Sequence, residues 1–266
     1  MKTSLPTISI ITVCYNSVLT IEETIQSVLQ QNYPMLDYVI IDGGSTDGTV
    51  DIIEKYKNQI GYFCSEKDNG ISDAFNKGIR HSKGEIIGIV NSDDVLLPHA
   101  LEHIVGKYDE KIDVYRGNIL IANKETGKSN REVPSMKFPL IPFVLHVTHP
   151  GTFITKKAYE KWGVYSTELK YNMDHDILRR MYRGKAQFLY VDADLVEFRL
   201  GGATSSSIKK KKHDLEYVVR ENGGNLFQAK IYYYYMYFVD LIKRIIINTV
   251  GIDFLKKLHY TFRKWK

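Results

Sequence analysis

Gly84–Leu97, GEIIGIVNSDDVLL, limits what this chain can fold into more than any other stretch. Ile86–Val90 is apolar or glycine throughout, with no alternation of polar and apolar positions. A strand of that kind is covered on both faces, as the central strands of a parallel sheet are. It ends in Asn91-Ser92-Asp93-Asp94. Open α/β sheets bind their ligands beyond the carboxyl ends of the strands, so two adjacent carboxylates there point to a site. Like charges at that spacing repel each other. A divalent cation shared with a diphosphate would relieve the repulsion through the oxygen ligands such ions prefer. The competing reading is a solvated loop in which Asp93 or Asp94 caps a helix beginning near Pro98.

The preceding residues repeat the pattern. Ile8–Cys14 is a first buried strand, Asp37–Asp42 a second and Tyr62–Ser65 a short third. Between them, Ile21, Ile25, Val28 and Leu29 follow helical spacing, as do Val50, Ile53 and Tyr56, and Ser72–His81 reads as a helix. Thr20 and Glu23 have the spacing of a capping box. This β-α-β-α rhythm predicts an α/β fold with a doubly wound, mostly parallel sheet flanked by helices. Polar or glycine residues follow strands one, two and four: Tyr15-Asn16, Asp42-Gly43-Gly44 and Asp93-Asp94. They should converge on one sheet edge. Beyond them, Leu101–Tyr108 has a helical stripe and Val114–Ala122 reads as a strand. Asn123–Phe138 reads as a hairpin or loop, and HVTHPGTFIT as a turn and a short strand. Asp174–Arg183 reads as a helix, Phe188–Arg199 as one or two strands, and Gly201–Ser207 as a loop.

The 266 residues suffice for one large domain with an appendage. Cys14 and Cys64 both lie in apolar runs, which favours buried free thiols over a disulfide or a metal pair. Lys2-Thr3-Ser4 leads straight toward a strand with no small-residue cleavage site, so a cytosol-facing protein is expected. Charge is unevenly spread. Residues 209–266 hold 13 Lys/Arg against 5 Asp/Glu, a net +8, and residues 1–208 hold 23 against 26, a net −3. The expected division is a catalytic domain at 1–207 and a basic, aromatic, helical tail at 208–266.

Five motifs in order, ISIITVCYN, VIIDGGSTDGT, DNGISDAFNKG, IVNSDD and NMDHDILRR, resemble family 2 inverting glycosyltransferases of the GT-A fold over about Pro6–Ser207. The resemblance implies a metal-dependent enzyme that moves a hexose or N-acetylhexosamine from a nucleotide sugar, a UDP-sugar foremost, to a glycan or lipid-linked acceptor. The implied setting is bacterial surface-polysaccharide assembly. It places Val13, Tyr15, Asn16, Asp42, Asp73, Asn76, Asp93, His149 and Arg199 at the nucleotide and donor sugar. Asp94 would ligate Mn2+ or Mg2+, a Lewis acid for the departing nucleoside diphosphate. Asp174 would be the base for a single displacement, with Asp176 as the alternative. Two positions depart from the family. Ser72-Asp73-Ala74 stands where many members carry an Arg, which leaves Lys77 or Arg80 to neutralise the diphosphate, and Met173-Asp174 replaces a Glu-Asp pair.

Each assignment has a structural competitor. Asp42 can serve the Gly43-Gly44 turn, and Asp47 reads as a helix cap. Gly70 suits a backbone conformation closed to other residues. Asn76 can be a surface residue, and His149 a hydrogen-bonded structural histidine. Asp174 complements a helix dipole. Arg199 with the Gly201–Ser207 loop could close on the diphosphate.

Leu226–Val250 is aromatic and interrupted by Asp240, Lys243 and Arg244, so it reads as a helix lying in a membrane interface rather than spanning it. Packing on the catalytic domain or in a homodimer is the alternative. Lys209–Lys212 reads as a solvated charge run, with no nucleic-acid partner expected. Two other functions share part of the pattern. A nucleotidyltransferase would carry a glycine-rich basic loop after strand one, where Tyr15-Asn16-Ser17-Val18 stands. A non-catalytic nucleotide-sugar-binding protein would not need the base.

Overall fold

The computed structural model describes residues 5–123, 128–138, 147–199 and 211–250. The chain divides into two compact units, Met1–Ser205 and Ser206–Lys266.

In the first unit the apolar runs become strands and the 3.6-period runs become helices. β1 (Ile8–Cys14), α1 (Ile21–Leu29), β2 (Leu36–Asp42), α2 (Thr49–Lys55), β3 (Tyr62–Ser65), α3 (Ile71–His81) and β4 (Ile86–Ile89) alternate along the chain. They are followed by β5 (Val95–Leu96), α4 (Ala100–Val105), β6 (Val114–Asn123), β7 (Lys128–Glu132) and β8 (Thr152–Thr155). The unit ends with α5 (Lys156–Trp162), α6 (Met173–Arg183) and β9 (Phe188–Arg199). Among the described residues the strands form one sheet in the order β3-β2-β1-β4-β8-β6-β9-β5, with β7 paired to β6. The first four pair in parallel, with Ile8 opposite Leu36 and Ile86, and Cys14 opposite Asp42. From β8 onward antiparallel pairs enter, and β6 and β9 run parallel.

Burial explains the order. Every residue of β1 and β4 is buried, as strands inside a two-sided sheet must be. Gly78 lets α3 lie directly on β1, since a Cβ there would come within 2.4 Å of Ile11. Gly88 does the same for the ring of Phe153 across β4 and β8. The chain leaves β1 toward β2 on one side and returns to β4 on the other. The carboxyl ends of β1 and β4 therefore flank the switch point where such sheets open a crevice.

Two local expectations change. Thr20 caps no backbone N–H with its side chain; its hydroxyl donates to the Ser17 carbonyl instead, and Glu23 pairs with Arg199. α4 ends at Val105, before Tyr108, whose hydroxyl donates to Glu85. Of the one or two strands expected over Phe188–Arg199, one forms. The 201–207 loop lies outside the described residues.

The second unit contains α7 (Lys212–Glu221) and α8 (Leu226–Val250). A capping box is present at the start of α8, where Asn225 and Gln228 exchange backbone-to-side-chain hydrogen bonds of 3.0 and 2.9 Å. Among the described residues no helix is long and apolar enough to cross a membrane.

Candidate active site

A cleft of about 950 Å³ opens at the carboxyl edge of the parallel strands. Val13, Cys14, Tyr15 and Asn16 line it from the end of β1, Gly43, Gly44 and Asp47 from the end of β2, and Lys67, Asp68 and Gly70 from the end of β3. Asn91, Ser92 and Asp93 line it from β4, and Phe198 and Arg199 from β9. The strand-end residues thus meet as the sheet pattern requires.

The loops are held by short polar contacts. Asn16 adopts a left-handed φ of 48°. Its backbone N–H donates to the Ser45 hydroxyl at 2.7 Å and its side-chain oxygen accepts from Thr46 N–H at 3.0 Å. Asp47 accepts from Thr49 N–H and hydroxyl, which caps the start of α2, and from Val18 N–H. Ser17 and Ser92 share a 2.8 Å hydrogen bond that ties the β1 loop to the β4 loop. Gly70, with φ 104° and ψ 171°, occupies backbone space that residues with a Cβ avoid. Tyr15 is 65% exposed, its ring free to receive a flat ligand.

The two acidic residues after β4 part company. Asp93 faces the cleft. Asp94 is fully buried; its carboxylate accepts from Arg199 N–H at 3.2 Å and from the Asn91 side-chain amide at 3.2 Å. Burial, and then the charge of Asp93, push the Asp94 carboxyl up to about 8 against those donors. Asp93 is thus the carboxylate of the pair that lines the cleft, and Asp94 lies beneath it. Among the described residues no group of three or more His, Cys, Asp or Glu could enclose a metal. One or two carboxylates beside an open cleft suit Mg2+ or Mn2+, which complete their oxygen shell with phosphate and water. The donor set fits such an ion held jointly with a diphosphate.

Other sequence candidates lie beneath the cleft rather than in its wall. Asp42 is fully buried; its oxygens accept from Gly44 and Ser45 N–H, from the Ser45 and Ser65 hydroxyls and from the Cys14 thiol. Burial alone would raise its carboxyl, but the Ser45 and Ser65 donors outweigh it and hold it below the usual value. The turn role expected for it is present, through the Gly44 and Ser45 N–H groups. Asn76 is buried and clamps Tyr165 through both backbone groups, at 2.8 and 3.0 Å. It is neither a surface residue nor part of the cleft wall. Asp73 accepts from Asn69 N–H at the start of α3 and pairs with Lys77. Lys77 itself is held by Glu66, Asp68 and Asp73 at 2.8, 3.0 and 3.4 Å. Three acids thus surround its charge, and one of them, Asp68, lines the cleft. Arg80 stands exposed in the last turn of α3 and does not line the cleft.

His149 is half-buried, lies against the Phe75 ring and shares a 2.8 Å hydrogen bond with the Tyr165 hydroxyl. Burial holds its imidazole below the ordinary value, although Asp174 pulls the other way. Asp174 is half-buried in the first turn of α6, with one oxygen accepting from His175 N–H. Its charge reaches His149, Tyr165 and Arg116. Asp176, the alternative base, is buried and paired with Arg180 at 2.9 Å. The Arg199 guanidinium lines the cleft but is bound by Glu23 at 2.5 and 2.6 Å and by Glu197 at 3.2 Å.

Lys67 and Asp68 were missed. The strand-end rule was applied to strands one, two and four, yet Glu66-Lys67-Asp68 follows the third strand just as directly. Asp68 Oδ2 sits so near Gly43 that a Cβ there would come within 2.8 Å.

Known proteins share the sequence family and the fold. The family model described as glycosyl transferase family 2 matches residues 9–163. An uncharacterised glycosyltransferase of Rickettsia typhi is 29% identical over 224 residues, covering 79% of this chain and 65% of that one. The chain thus spans just under two thirds of that relative's length. Glycosyltransferase GlyG of Streptococcus pneumoniae is 25% identical, covering 79% of this chain and 75% of that one. In fold, S. aureus TarS 1–349 in complex with UDP-GlcNAc superposes with a TM-score of 0.66 at 20% identity, over 91% of this chain and 73% of that one. Mannosyltransferase PcManGT of Pyrobaculum calidifontis, in complex with GDP-Man and Mn2+, gives 0.65 at 15%, over 99% and 84%. The strand-end cleft, its acidic β4 loop and the family match over more than half the chain lead to one conclusion: this chain belongs to glycosyl transferase family 2.

Proposed function

We propose that this chain is an inverting glycosyltransferase that moves a hexose or N-acetylhexosamine from a nucleotide sugar, a UDP-sugar foremost, to a glycan or lipid-linked acceptor. The observation that carries the reading is Asp93 at the end of β4, facing an open cleft whose other wall offers Tyr15 and Asn16. Tyr15 stacks on the base. Asp68, rather than the saturated Asp42, offers a carboxylate oxygen to the base edge. Val13 and Asn16 pack beside the nucleoside. Asp93 would hold a divalent cation together with the diphosphate, and that ion would supply Lewis-acid stabilisation of the leaving group.

The chemistry left to the chain is proton transfer. Asp174 accepts the acceptor hydroxyl's proton as that oxygen attacks the anomeric carbon, and the bond to the nucleoside diphosphate breaks on the opposite face. A single base suffices, because no hydrolytic water has to be activated on a second residue. His149, whose imidazole burial holds below its ordinary value, bonds Tyr165 and stiffens the layer under this position.

A turnover assay over a panel of UDP- and GDP-sugars, with Mn2+ present, tests the reading. Asp174→Asn should lower turnover about 100-fold or more while leaving UDP affinity unchanged. Wild-type turnover in that variant would refute the base. No transfer from any nucleotide sugar, with UDP still bound, would favour a non-catalytic binding protein.

A further inference from the structure

We propose that one face of α8 docks on the surface of an anionic lipid bilayer, with the helix lying in the interface. The helix is two-sided. Ala229 and Tyr232 are buried, whereas Phe227, Ile231, Tyr234, Phe238, Leu241 and Ile245 are all exposed. The exposed residues recur at steps of four and three. At about 100° per residue they fall within one stripe. The 25-residue helix is about 37 Å long, so the stripe is a continuous apolar strip along it. Scattered exposed apolar residues are ordinary, but a strip of six aligned aromatic and aliphatic side chains marks a docking surface.

Charge selects the occupant. Residues 206–266 hold 13 Lys/Arg against 5 Asp/Glu, a net +8, while the rest of the chain is slightly acidic. Lys230 is exposed at the edge of the stripe. A second copy of this unit would bring +8 against +8, whereas a bilayer carrying anionic headgroups attracts it. Phe and Tyr side chains suit the headgroup boundary, and the helix is not apolar enough to cross. The proposal is independent of the transferase reading and can fail without it.

The test is co-sedimentation of the full chain with vesicles of phosphatidylglycerol and phosphatidylcholine, beside vesicles of phosphatidylcholine alone. Wild type should bind the anionic vesicles, weaken as salt rises, and bind neutral vesicles poorly. Ile231→Glu with Phe238→Glu should lower binding about tenfold or more, and Phe238→Leu should preserve it. The melting temperature should be equal in all three, which certifies that each is folded. Absence of wild-type binding, or equal binding by wild type and the double variant, would overturn the proposal. So would a dimer in sedimentation velocity that the same two substitutions dissolve without any vesicle binding.

Discussion

The cleft rim and the polar layer beneath it are built from the same residue types, and they differ in what they border. On the rim, Tyr15 is 65% exposed and Asp93 lines the open cleft. Below, Asn76 gives both amide groups to Tyr165, Asp42 accepts five donors, and Asp176 holds Arg180. A motif residue with no capacity left stabilises the fold that places the others. Rim substitutions should therefore cost ligand affinity at constant stability, and substitutions in the layer should do the reverse.

The largest effect expected on the layer side is at Asn76. Asn76→Ala leaves two buried backbone groups unpaired and should lower unfolding stability by about 2–4 kcal/mol, read by urea denaturation. A loss of UDP affinity with unchanged stability would put Asn76 on the rim instead. Next comes Gly43→Ala, whose methyl would collide with Asp68 Oδ2 and crowd Tyr15. UDP affinity should fall about tenfold by calorimetry, with a melting temperature near wild type. Tyr15→Ala should cost less, about fivefold in UDP affinity, the worth of one stacking contact.

The smallest effect is a pH slope. His149 has its folded-state value below the 6.5 of a free imidazole. Its contribution to stability is thus present above pH 6.5 and is lost as pH falls below it, because the unfolded chain then binds the proton that the buried ring refuses. His149→Gln should lose less stability than wild type between pH 6.5 and 5. Parallel curves would mean that the ring titrates as freely folded as unfolded.

Much of the fold was legible because burial writes itself into composition. β4 is apolar or glycine throughout because both faces are covered, β1 and β2 are mostly apolar for the same reason, and α8 begins at Leu226 as expected. The misses have local causes. β5 is two residues long and exists only through its pairing with β9, about a hundred residues away. α5 starts directly after β8 with no turn residue to announce it. Thr20 had the spacing of a cap, yet Arg199 claimed Glu23 from far along the chain.

The site was legible as a place and less so as a set of roles. Strand ends told which residues meet, because chain direction alone fixes that edge. Which of Asp93 and Asp94 faces the cleft depends on the Arg199 N–H, 105 positions from Asp94, and no local pattern carries that contact. The saturation of Lys77 likewise needs Glu66 and Asp68 to fold back on α3.

The most direct measurement is calorimetric titration of UDP into wild type and Asp93→Ala, each with Mn2+ and with EDTA. Wild type should bind at least tenfold more tightly with Mn2+, and Asp93→Ala should show the same weak affinity in both buffers at an unchanged melting temperature. Mn2+-enhanced binding that survives in Asp93→Ala would contradict the assignment of Asp93 as the carboxylate that holds cation and diphosphate at the end of β4.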